Sequence, residues 1–190
     1  SILSMMVLFP LLRKFFTTTK VFYIGTGSAI VGYLTLIAIA FLTSMDNVYL
    51  LLIPGFLIFA ANGILTVLVT VFLANTVDYG ELQNGTRDES VVFSMQTFVV
   101  KLASGIAALA ASLTLSINHI QKGGTEAGDA AVVIDQAART GLRLSMTVIP
   151  IVLMVVAILI FAKKFILTEE KVAEITDELH ERRQAQEEVK

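Results

Sequence analysis

The stretch VVFSMQTFVVKLASGIAALAASL, Val91 to Leu113, has the composition of a membrane-spanning helix, yet Lys101 sits near its middle. With a helix starting at Val91, Lys101 lies about 15 Å along it at 1.5 Å per residue. That is close to the midplane of a roughly 30 Å hydrocarbon core. A lysine at that depth costs on the order of 2.5–3.5 kcal/mol on insertion scales. Its stem is too short to carry the ammonium to the surface. It therefore needs a wet cavity or a carboxylate. Ser94, Thr97, Lys101, Gly105, Ala108 and Ser112 share one arc of such a helix, with Phe98, Val99 and Leu102 opposite. Gln96 falls off the arc, within reach of a neighbouring helix. No aspartate or glutamate lies inside an apolar run of the chain, so a carboxylate partner for Lys101 has to come from outside it. The residue types point to ion or substrate handling at depth, with a purely structural pair as the plainer alternative.

Two further groups could do chemistry. Asn62, Thr66 and Thr70 recur every four residues and so share a helix face. They either line a cavity or hold two helices together. The stretch NTVDYGELQNGTRDES concentrates Asp78, Glu81, Arg87, Asp88 and Glu89 between two apolar runs. An ordinary solvated loop is one reading. The other is a set of charge pairs that opens and closes with an interface.

The elements that must position these groups are apolar helices. Hydrophobic residues make up 55% of the 190 residues and mean hydropathy is +0.77, gathered in long runs. That composition predicts an all-α, polytopic membrane helix bundle. Spans are expected at 21–43, 48–75, 91–117 and 142–162. The apolar segment 1–12 is too short to span and reads as the end of a helix that begins earlier. Segment 76–90 is expected as a polar loop, and 118–141 as an outer loop with a short helix around Ala130 to Ala138. Small residues at Gly25, Ser28, Gly32 and Thr35 suit close approach of another helix. Pro54 is expected to invite a kink. From Thr168 the chain turns highly charged, and Val172, Ile175 and Leu179 make one apolar stripe. This tail, within 163–190, reads as a solvated helix outside the membrane.

The basic residues Arg13, Lys14, Lys20, Lys163 and Lys164 fall on one side of this arrangement, predicted to be the cytoplasm; Arg139 and Arg143 run against the rule. The protein is expected in the cell membrane, multi-pass, with a cytoplasmic C-terminus. A net charge of −2 offers no basic surface for nucleic acid. There is no cysteine, and His119 and His180 lack metal-ligand spacing. The N-terminal stretch has no basic region ahead of its apolar run and does not read as a signal peptide. Ser94 and Lys101 are about 10 Å apart along the axis, too far for the lysine to activate the serine, so no enzyme is expected.

The stretch NTVDYGELQNGTRDESVVFSMQTFVVK resembles the signature of the glycoside–pentoside–hexuronide cation symporters, a branch of the major facilitator superfamily. The pattern is a V-D-Y-G-E segment, an arginine, an acidic residue, a serine-bearing helix entry and a lysine. The run S-x-Q-T-x-V-V-K, Ser94 to Lys101, is similar to melibiose and lactose permeases of that family, and the charged tail is similar to its lactose and galactoside members. The likeness covers essentially the whole chain and implies the last five of twelve helices, a truncated C-terminal half of a major facilitator fold. It implies cation-coupled symport of a galactoside such as lactose or melibiose by alternating access, with Na⁺ or H⁺ as coupling ion and no other cofactor. It also implies a missing N-terminal half that supplies acidic cation ligands. Lys101 then takes part in cation coupling, and Gln96 and Thr97 match positions near the sugar site; Thr66 and Asn62 join them as substrate-binding candidates on the cavity-lining reading of their own spacing. Asp78, Glu81, Arg87 and Glu89 form a cytoplasmic gate. Asn75 departs from the pattern, since many members carry an aspartate there. On its own the fragment is expected to be inactive. The competing reading is a small membrane scaffold or regulatory protein without transport activity.

Overall fold

The computed structural model describes residues 2–42, 48–117 and 136–188. The described residues are almost entirely helical, without a strand. A π-helical turn, Ser4–Leu8, leads into α1, Phe9–Phe15. The π turn has a local cause. Pro10 offers no N–H and its ring crowds the carbonyl four residues back, and the wider turn relieves that clash. Phe9 N–H donates to the Ser4 carbonyl five residues behind it. Then come α2 (Thr18–Leu42), a 3₁₀ turn (Val48–Leu51), α3 (Leu52–Asn84), α4 (Glu89–Ile117), α5 (Gln136–Lys164) and α6 (Glu169–Glu188). Four of these stretches are long and apolar enough to cross a membrane: Thr18–Leu42, Tyr49–Asn84, Glu89–Ile117 and Ala138–Lys164. The bundle is the helical membrane architecture that the composition predicts.

The helices differ from the sequence expectation chiefly at the end of α3 and the start of α5. The segment 76–90, expected as loop, is helical as far as Asn84. At 1.5 Å per residue, α3 is about 50 Å long, well beyond a hydrocarbon core, so its last turns carry charge into water without leaving the helix. It stops at Gly85, whose φ of 74° is left-handed and whose N–H donates to the Glu81 carbonyl at 2.9 Å. That is the helix end glycine favours. Helix α5 begins at Gln136, before the expected Leu142. Pro54 sits in the first turn of α3, directly after the 3₁₀ turn, where a missing N–H interrupts the helix least. The SMDN turn, most of the outer loop and the start of the expected helix around Ala130 lie outside the described residues.

The frame of the bundle is the α2–α3 pair. Val21, Ile64 and Leu68 are buried at its centre, with Leu8, Phe9, Leu12, Phe22, Leu65 and Phe72 packed around them. Two of the four predicted small residues hold the helices close. A Cβ on Gly32 would lie 2.9 Å from Ile58 Cγ1 and 3.2 Å from the Pro54 carbonyl oxygen; one on Gly25 would lie 3.4 Å from Ile64 Cγ2. Toward one end, aromatic rings join α2, α3 and α5. Phe22 stacks on Phe161 at 4.0 Å, Phe161 on Phe165 at 4.2 Å, and Phe72 leans on Phe165 at 4.9 Å. At the other end Arg143 Nη1 donates to the Ala40 carbonyl at 3.1 Å. A cation answering one of the last carbonyls of α2 is favourable, and it gives this positively-placed exception a structural reason.

Helix α6 is not a free solvated helix. Ile175 and Leu179 are only 4% and 7% exposed, seated where α6 lies along α3. Helix α4 is the opposite case. It meets α3 and α5 only sparsely, and none of its residues is buried.

The packing at Gly32 predicts an asymmetry between two neighbouring glycines. Gly32→Val overfills the α2–α3 contact and should cost about 1–3 kcal/mol, read as a lowered thermal midpoint in detergent. Gly27→Ala, whose Cβ meets nothing within 4 Å, should leave the midpoint unchanged or raise it. Equal effects from the two substitutions contradict this packing.

Candidate functional site

The charge cluster is built by the end of α3, the four-residue turn after it and the start of α4. Asp78 and Glu81 are three apart, so they share a face of α3. Gly85 turns the chain back and places Arg87 over that face. Arg87 Nη1 donates to Asp78 Oδ1 at 2.8 Å and to Glu81 Oε2 at 2.8 Å, and its Nε reaches Glu89 Oε2 at 3.4 Å. The structure thus brings Asp78, Glu81, Arg87 and Glu89 together. Glu89 also suits the positive N-terminal end of α4. Hydrogen bonds donated to Glu81 and then Asp78, with the charges of those carboxylates, hold the Arg87 guanidinium more firmly protonated than usual.

Two members of the cluster were not anticipated. Arg183 Nη2 donates to Glu81 Oε1 at 2.8 Å and Oε2 at 2.9 Å, and Arg182 Nη1 donates to the Leu82 carbonyl at 3.1 Å. Both come from α6. The signal available was the Val172, Ile175, Leu179 stripe followed by two arginines, which together mark a helix with a seat rather than one in free solution. The first turn of α6 is tied down as well. Glu169 Oε1 accepts from Thr18 N at 2.7 Å and Thr18 Oγ1 at 2.8 Å, and pairs with Arg13. It thereby satisfies one of the orphan donors at the start of α2.

The groups within the spans divide between two faces of α4. At about 100° per residue, Thr97 and Lys101 lie on one side. Gln96 lies roughly 140° away from Lys101, toward α3. Gln96 is half-buried and lines a cleft of ≈ 520 Å³ with Val92, Met95 and Val99 of α4 and Val69 and Leu73 of α3. Asn62 and Thr66 are exposed on the same face of α3 as Val69 and Leu73. A second cleft, of ≈ 490 Å³, separates α4 from α5 and is lined by Ala103, Ala107 and Ala110 against Met146, Ile149 and Pro150. Both clefts lie behind Lys101. Lys101 and Thr97 are exposed, turned away from α3 and α5, and no described carboxylate lies within ion-pair distance of the ammonium. The hydroxyls on both helices donate within their own helix: Thr97 to the Phe93 carbonyl at 3.0 Å, Ser94 to Val91 at 2.9 Å and Thr66 to Asn62 at 2.8 Å. Their oxygens keep acceptor capacity facing outward. Among the described residues no group of three His, Asp or Glu side chains is placed to hold a metal ion.

Residues 1–169 match the family described as MFS/sugar transport protein. The chain belongs to that family. It is of the glycoside–pentoside–hexuronide symporter type. It is similar to the lactose permease of Lactobacillus delbrueckii subsp. bulgaricus, 30% identical over 90% of this chain and 26% of the permease. It is also similar to the raffinose carrier protein of Pediococcus pentosaceus, 31% identical over 90% of this chain and 25% of the carrier. An isoprimeverose transporter of Lactiplantibacillus pentosus is 35% identical over 51% of this chain and 21% of its own length. The chain therefore spans about a quarter of the length of these relatives. No solved structure matches it. The relatives are named as permeases, carriers and transporters, not as enzymes.

The tie between α6 and α2 predicts a pH response. Burial raises the Glu169 carboxyl, but the Thr18 hydrogen bonds and Arg13 outweigh it and leave it below its ordinary value of 4.5. A carboxyl depressed by folding stabilises fully above its unfolded value, and that contribution fades as pH falls through the lower folded value. Spin labels at Lys14→Cys and Lys171→Cys should hold one narrow distance above about pH 5 and broaden below pH 4.5. Glu169→Gln should be broad at neutral pH already and show no step there. A Glu169→Gln distance as narrow as the wild type's at neutral pH removes the role given to Glu169.

Proposed function

We propose that this chain forms the C-terminal part of a cation-coupled sugar symporter of the cell membrane, with the α6 tail in the cytoplasm. The sugar is a galactoside such as lactose or melibiose, and the coupling ion is Na⁺ or H⁺. The observation that carries this reading is the outward arc of α4. Lys101, Thr97 and Ser94 form a polar, small-residue face that nothing in the described chain covers. A lysine at bilayer depth needs water or a carboxylate, and the preceding helices of a major facilitator protein would supply both. In transporters of this class substrate and coupling ion sit near the midplane between two halves that rock.

The chemistry follows from competition. The Lys101 ammonium and a coupling cation both seek the carboxylates of the other half. Cation binding shifts the ammonium to a new partner and so changes the sugar site beside it. Coupling of this kind requires different affinities in the two states, and it is reciprocal. Lys101 and Thr97 face this interface directly. Gln96 lines the α3–α4 cleft behind it, and Asn62 and Thr66 lie on the same face of α3 as the cleft's Val69 and Leu73, so their amide and hydroxyl groups meet sugar hydroxyls only as α4 shifts. At the cytoplasmic end the Arg87 cluster serves as the inner gate. Its pairs are exposed, and exposed pairs are worth only about 0.2–1 kcal/mol each, so they can exchange partners within a transport cycle.

The names of the relatives support the substrate class, since lactose and raffinose both contain a galactosyl unit. The test is complementation in a permease-deficient host. Alone, the chain should give no galactoside uptake. Co-expressed with the preceding helices of the Lactobacillus delbrueckii lactose permease, it should restore uptake that collapses with a cation ionophore. Lys101→Ala should then lose at least about tenfold in coupled uptake, equivalent to 1.4 kcal/mol. Uptake by the chain alone, or restored uptake indifferent to Lys101, would contradict the proposal and favour a scaffold without transport activity.

A further inference from the structure

Arg87 is held in an unusual way. Its Nη1 bridges Asp78 and Glu81 and its Nε reaches Glu89, while among the described residues Nη2 has no partner. A guanidinium beside a glutamate ordinarily forms a fork, two parallel bonds to two oxygens. Glu81 does not offer Arg87 that fork, because Arg183 takes both of its oxygens: Oε1 at 2.8 Å, and Oε2, shared with Arg87, at 2.9 Å.

The Arg183 guanidinium is itself fixed. Arg182 beside it donates to the Leu82 carbonyl, and pairs with Glu178 at 2.9 Å. One to two turns earlier Ile175 and Leu179 are buried, and at the far end of α6 Glu169 is bound to Thr18 and Arg13. Helix α6 is thus a strap fastened to the start of α2 and the end of α3. Its length between Glu169 and Arg183 is about 21 Å at 1.5 Å per residue.

We propose that Arg183 is a positioning residue for the inner gate: by occupying Glu81 it denies Arg87 a closed fork and keeps Arg87 Nη2 open toward a carboxylate of the other half of the transporter. The gate function of Arg87 rests on the reading given above; the arrangement of the three side chains does not. Asp78, bound to Arg87 by a single bond, is then the partner released when the outside carboxylate arrives. Glu81 stays paired with Arg183 while Arg87 turns, and the released Asp78, 33% exposed, is left to water.

The experiment reads Arg87 directly and needs no transport. The chain in lipid nanodiscs is treated with phenylglyoxal, and modification of the peptide containing Arg87 is followed by mass spectrometry. Arg183→Gln should let Glu81 close its fork on Arg87 and slow modification of Arg87 by about threefold or more, as a bidentate pair replaces a single bond. Arg183→Lys should restore the wild-type rate, because an ammonium can still occupy Glu81. In a Glu81→Gln background, Arg183→Gln should have no further effect, the non-additivity expected of groups sharing one partner. Faster modification in Arg183→Gln would mean that α6 merely covers Arg87, and an unchanged rate would mean that Arg183 does not set it; either overturns the proposal. In the complemented transporter the same Arg183→Gln should lower turnover while the sugar KM stays within about twofold, since a step after binding is affected. Normal turnover there, with slowed Arg87 modification, overturns the gate role alone. Absence of wild-type uptake speaks against the transport reading and leaves the labelling result to judge the arrangement.

Discussion

Charge is expensive in hydrocarbon, and this chain is organised by that expense. The runs that cross contain no carboxylate, so carboxylates collect where the helices emerge. At one end of the bundle Glu169 meets Arg13 and Thr18, and Glu81 meets Arg87 and Arg183. Lys101 is the cation left at depth without a described carboxylate. The same constraint governs the backbone. With no water to bond to, every N–H and C=O in the core must be satisfied within a helix. The irregular points, Gly85 and the turn after it, therefore fall beyond the apolar stretch of α3.

Within that constraint the helices are unequal. The α2–α3 pair is joined by buried glycine contacts and an apolar centre, and aromatic rings bring α5 onto it. Rings packed against one another contribute beyond their area alone. These helices make a frame. Helix α4 has clefts on both flanks and no buried residue. Among the described residues, the helix that carries Lys101 is also the one least packed against the frame.

Much of this was legible in the sequence because the relevant physics is local. Apolar run length fixes the spans. The three- and four-residue spacing at Gly25 and Gly32 marks the α2–α3 contact. The wheel already separates Gln96 from the Lys101 arc, and the structure shows what that separation means: Gln96 looks toward α3 and Lys101 away from it. The convergence of Asp78, Glu81, Arg87 and Glu89 follows from their being neighbours in sequence. What was not legible depends on contacts between distant segments. Arg182 and Arg183 find Leu82 and Glu81 about a hundred residues away, and no spacing rule predicts that. The helical course of α3 to Asn84 was hidden by composition, since charged residues at the end of a long helix look like a loop when only hydropathy is read.

The energetics of the cluster bear on its use. Glu81 is 17% exposed, whereas Arg87 and Arg183 are 45% and 52% exposed. The carboxylate is the sheltered member and the guanidiniums are the wet ones. A sheltered anion without a partner costs more than an exposed cation without one. Glu81 must therefore remain paired in every state, while either arginine can leave at little cost as long as the other stays. Two arginines sharing one sheltered carboxylate make exchange cheap without exposing a bare charge. A single pair at the same place could open only by stranding Glu81. The α6 strap, by adding the second arginine, changes the end of α3 from a fixed link into one that can hand over its partner.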